Sequence, residues 1–140
     1  MRKVSGIALI ALALVVIIVP LFTDCQSQGR SLTTSTGSII PMKCHWTAIA
    51  EMALGIPLLL LGILYLVNKT NETLRSLSLV SLALGVLVIL LPTALIGVCA
   101  KNEMICNMIM RPVLILTGTL VVADSLTMLI KYRHVAPAAA

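Results

Sequence analysis

The stretch PMKCHWTAIAEMALG, Pro41 to Gly55, sets Met42, Cys44, His45 and Trp46 within five residues, just ahead of an apolar run that carries Glu51. A second sulfur-rich group follows at Met104, Cys106, Met108 and Met110, and the remaining cysteines are Cys25 and Cys99. Three chemistries fit these residue types. Thioether, thiolate and imidazole together make a donor set for Cu(I) or for haem, with His45 the first candidate ligand and Met42, Cys44, Met104, Met108 and Met110 behind it. Two structural disulfides are the second, each contributing about 2–4 kcal/mol. Four cysteines allow three pairings, and proximity in the chain favours Cys25–Cys44 with Cys99–Cys106. Thiol–disulfide exchange is the third, although the chain lacks the Cys-x-x-Cys spacing that tunes such couples.

The elements that position these residues are set by hydropathy. The 140 residues are 59% hydrophobic and 11% charged, against about 45–50% and 25% in soluble domains, and the mean hydropathy is +1.10. This is the composition of a membrane protein surrounded by lipid. The net charge of +5 comes without a basic stripe or interleaved aromatics, which excludes a nucleic-acid partner. Four runs reach the roughly 20 apolar residues that a span needs, about Val4–Phe22, Thr47–Val67, Leu77–Val98 and Pro112–Ile130. The expected architecture is an all-α bundle of four transmembrane helices, one membrane domain over residues 1–140. The first run is long and no small-x-small cleavage site follows it, so it reads as a retained helix rather than a signal peptide.

Arg2, Lys3, Lys69, Arg75, Lys131 and Arg133 gather at one set of span ends, while Arg30, Lys43, Lys101 and Arg111 lie at the other. The richer side is expected inside, which puts both termini in the cytoplasm and all four cysteines in two segments outside, where disulfides persist. Trp46 at a span entrance has the position of an interface anchor. Gly55 and Gly62, then Ser78, Ser81 and Gly85, then Gly118 supply small-residue seams for helix packing. Pro57 and Pro92 are expected to bend their helices. Glu51 and Asp124 are intramembrane acids too far apart in depth to pair, so each needs its own partner, proton or protein.

The pieces MKCHWT, AEMALG, LPTALIGVCA and CNMIMRP resemble a family of small bacterial four-helix membrane proteins of unknown function, over roughly Cys25 to Ile130. The resemblance implies a multi-pass protein of the bacterial cytoplasmic (inner) membrane and brings no catalytic assignment. The residues themselves carry no nucleophile–base set, phosphate loop or HExxH motif, which argues against a hydrolase or ATPase. Two acids without local partners point instead to an accessory or structural subunit of a membrane transport or efflux complex, bound to another membrane subunit or to itself.

Overall fold

The computed structural model describes residues 2–24, 29, 32–33, 37, 39–40, 42–99 and 104–132. Among them are four helices long and apolar enough to cross a membrane. Helix α1 runs Arg2–Thr23, α2 Lys43–Val67, α3 Asn71–Leu90 and α4 Arg111–Tyr132. A π turn, Leu91–Leu95, extends α3, and another, Cys106–Met110, leads into α4. The chain is a small multi-pass membrane protein with the all-α, four-span architecture that its hydropathy demands.

The helices are longer than the apolar runs. Helical backbone begins at Lys43 rather than near Thr47, at Asn71 rather than Leu77, and at Cys106 rather than Pro112. Hydropathy marks the part of a helix that lies in oil, whereas its hydrogen bonds continue into the headgroup layer, where polar side chains cost little. As a result Cys44, His45, Trp46 and Cys106 stand on helical turns and not in loops. The α1–α2 connection, expected to be an irregular polar loop, contains the two-residue strands β1 (Leu32–Thr33) and β2 (Ile39–Ile40). They pair antiparallel, Leu32 opposite Ile40 and Thr33 opposite Ile39. Cys25 lies outside the described residues.

Without a hydrophobic drive between them, helices in lipid associate where small residues let backbones approach. A Cβ on Gly62 would stand 2.7 Å from Ile10 Cγ1, 3.0 Å from Ile10 N and 3.1 Å from Gly6 O, so α1 and α2 pack backbone to backbone. A Cβ on Gly118 would lie 3.0 Å from Gly85 O, which makes the same seam between α3 and α4. Gly55 faces Ile17 of α1 and Gly85 faces Val121 of α4. The short turn after α2 leads to the expectation that α2 and α3 are antiparallel neighbours. They do touch, through Tyr65 Oη and Ser78 Oγ 2.7 Å apart, but their glycines face α1 and α4, and those are the closer pairs. Ser81 also turns inward, its Oγ 2.8 Å from Ser125 Oγ on α4.

Buried side chains form two clusters stacked along the bundle. One gathers Leu9, Leu58, Tyr65, Leu74 and Val121. The other, towards the opposite end, gathers Val16, Ala48, Val88 and Leu114 with Cys44, Cys106 and Met110. Outward, Phe22, Ile56, Val67, Leu116 and Ile130 are each more than half exposed. In water such a surface would be a liability, whereas in lipid it is the solvent-matched one.

Candidate functional site

The site is assembled by the way α3 ends. Pro92 has no N–H for the Val88 carbonyl and its ring crowds that oxygen, and here the helix widens. Ile96 N–H reaches Leu91 O at 3.2 Å and Gly97 N–H reaches the same oxygen at 3.0 Å. Gly97 has φ +78°, a conformation glycine adopts at no steric cost. The chain so turned is pinned to α2, because Thr47 Oγ1 donates to Gly97 O at 2.7 Å. Thr47 is one turn from Cys44 and fully buried, so this bond sets Cys99, two residues beyond Gly97, over Cys44. Cys106 arrives from the other side on the π turn that opens α4. That turn adjoins Pro112, again a residue with no N–H to continue a regular ladder.

The outcome is a sulfur cluster. The Sγ atoms of Cys44, Cys99 and Cys106 all lie within 4.8 Å of one another, with Cys44 and Cys99 3.3 Å apart. Met42 Sδ is 4.0 Å from Cys99 Sγ. Cys44 and Cys106 are 0% and 1% exposed, and Cys99 is half-buried. Met110 is buried in the core cluster that also holds Cys44 and Cys106, and Met104 packs against that core. No disulfide joins the three cysteines to one another. Folding sets Cys44 3.3 Å from Cys99 across 55 positions, because the end of α3 lands on the start of α2, while Cys106 lies within 4.8 Å of both and Cys25, the expected partner of Cys44, lies outside the described residues.

The other candidate ligands separate. His45, first candidate in the sequence, is not part of the thiol group. Its Nδ1 stands 2.9 Å from Asp24 Oδ2 at the end of α1, and its ring meets Trp46 edge-on with centroids 6.3 Å apart. Asp24 carried no role in the sequence, and nothing in the spacing of two residues 21 positions apart marks the pair. Trp46 is 56% exposed, as an interface anchor needs. Met108 is 64% exposed and faces away from the cluster.

The two intramembrane acids differ from each other. Asp124, expected to lack a local partner, receives a hydrogen bond from Ser5 Oγ of α1 on Oδ1, while Oδ2 has none among the described residues. Thr127 Oγ1 donates to the Asp124 main-chain oxygen at 2.7 Å, and Thr117, two turns earlier on α4, is buried in the core. Glu51, two turns below Cys44 on the same face of α2, is fully buried, and neither of its oxygens has a hydrogen-bond partner among the described residues.

No curated protein and no solved structure matches this chain. Residues 7–131, spanning all four helices and the sulfur cluster, match a family described as Domain of unknown function (DUF4418), and the chain belongs to that family.

Proposed function

We propose that this protein binds a soft metal ion, Cu(I) foremost, at the end of the bundle that faces outside the bacterial inner membrane. The observation that carries the reading is the convergence of three cysteine Sγ atoms within 4.8 Å from three separate parts of the chain. With metal–sulfur bonds of about 2.3 Å, a trigonal three-thiolate site holds its sulfurs about 4 Å apart, so these cysteines need only small movements to enclose an ion. Soft thiolate and thioether donors select Cu(I) over harder ions, and Met42 adds a thioether at the rim. A metal–thiolate centre is negative, and Cys44 and Cys106 would hold it at two helix N-terminal ends, where the dipole is positive. His45 belongs to the Asp24 pair and not to this donor set, which removes the main support for haem.

Titration of the reduced protein with Cu(I) against a chromogenic chelator tests this. One ion per chain, held in competition with the chelator, is expected; copper left wholly on the chelator would end the proposal. An accessory role in a transport complex is the second reading; it draws on the open groove lined by α1 and α4 beside Asp124, since Glu51 is enclosed by this chain's own helices and out of a second subunit's reach. A lone, stable chain on mass analysis in mild detergent would contradict that role.

A further inference from the structure

Cys99 differs from the other two thiols in ways that bear on how the site is controlled. Cys44 and Cys106 are enclosed and carried on helical turns, whereas Cys99 is half-buried and lies in non-helical chain just past Gly97. A disulfide-bearing molecule arriving from solvent therefore meets Cys99 first. Once it has reacted, the sulfur best placed to continue is Cys44, 3.3 Å away. Closing that gap to a bond of about 2.05 Å needs about 1.3 Å of approach, which the irregular chain at Cys99 can supply without moving either helix.

We propose that Cys99 and Cys44 form a reversible disulfide, with Cys99 the entry thiol and Cys44 the resolving one, and that closing it empties the metal site. The inference rests on the soft-metal reading above. The exchange runs in two displacements. Cys99 Sγ bonds one sulfur of an external disulfide, and the other sulfur leaves as a thiolate. Cys44 Sγ then bonds Cys99 Sγ and expels the first half as a second thiolate. The two cysteines lose two electrons, the external disulfide gains them, and any thiol protons pass to the departing thiolates. Copper remains Cu(I) and leaves, because Cys106 and Met42 keep only one thiolate and one thioether for it.

The test uses the full-length protein in mild detergent, reduced and loaded with Cu(I), the loading being measured before any oxidant is added. Oxidised glutathione is then supplied, released copper is read with a chelator, and peptides are mapped without reduction. The expected result is a Cys44–Cys99 cross-link together with a fall in copper occupancy of about tenfold or more, reversed by dithiothreitol. In Cys44→Ser the glutathione adduct should accumulate on Cys99; mapping of the unmutated protein stands independently if that variant does not fold. Copper retained after the cross-link forms, or cross-links joining Cys25 to Cys44 or Cys99 to Cys106, would overturn the inference while leaving the metal reading intact. Failure of the reduced protein to load copper at all would remove the metal reading, and the gating with it.

Discussion

Serine in place of Cys106 is expected to lower the Cu(I) affinity of the reduced protein by more than about 100-fold, beyond the 10–100-fold that loss of an outer-shell partner costs at metal sites. The substitution exchanges a soft, polarizable thiolate for a hard hydroxyl that stays protonated, so a trigonal site becomes a two-sulfur site. Cys106 is 1% exposed and packs beside Met110 and Leu114, and serine is slightly smaller, so the bundle should survive the change. Competition titration reads the affinity and thermal unfolding in detergent checks the fold. Met42→Leu should weaken binding less, because a neutral thioether at 4.0 Å from Cys99 is a supplementary donor. His45→Ala should leave it essentially unchanged. Equal losses from His45→Ala and Cys106→Ser would show that the imidazole, and not the thiol group, holds the ion.

The second large effect concerns the seam that carries the site. Gly62→Leu should destabilise the bundle by about 3 kcal/mol, the upper end of what overpacking costs. The obstruction explains the size: even the Cβ would meet Ile10 N at 3.0 Å and Gly6 O at 3.1 Å, backbone atoms that cannot rotate aside. Relief requires α1 and α2 to separate, which removes the van der Waals contact that holds helices together in lipid. Unfolding by a denaturing detergent should show the midpoint moving sharply down, and because the clash lies far from the thiols, copper binding by the folded fraction should persist. An unchanged midpoint would mean that α1 and α2 are not in backbone contact.

Hydropathy made the four spans legible because lipid forces every apolar run of that length into a helix, with no competing solution. The glycine and serine seams were legible for a related reason: Gly55, Gly62, Gly85 and Gly118 have few other uses inside a span. Which helix each seam would meet was not, since spacing fixes a face of one helix and says nothing of its partner. The candidate site divides along the same line. Residue types and segments pointed to Met42, Cys44 and His45 with Met104, Cys106, Met108 and Met110 as one donor group, and to Cys99 only as a disulfide or exchange cysteine. Their true neighbours depend on a turn at Gly97 and a side-chain bond from Thr47 to a main-chain oxygen 50 residues away, neither of which leaves a periodic signal. His45 misled because imidazole beside cysteine is a familiar ligand pattern. Consecutive helical residues point about 100° apart, so a residue next to Cys44 in the chain faces a different way, here towards Asp24.

The two wide turns also bear on function. Cys106–Met110 carries one of the three cysteines and Leu91–Leu95 ends four residues before another, and π turns inside α-helices concentrate at functional sites. Here the first contains Pro92, the second ends two residues before Pro112, and each re-aims the chain that delivers a cysteine. The same prolines that would be costly in a regular helix therefore bring together thiols from distant parts of the sequence.

The most direct measurement is X-ray absorption at the copper edge on reduced, Cu(I)-loaded protein. A first shell of three sulfur atoms at about 2.3 Å, collapsing in Cys106→Ser, is the predicted result. A shell dominated by nitrogen or oxygen would contradict the account at its centre.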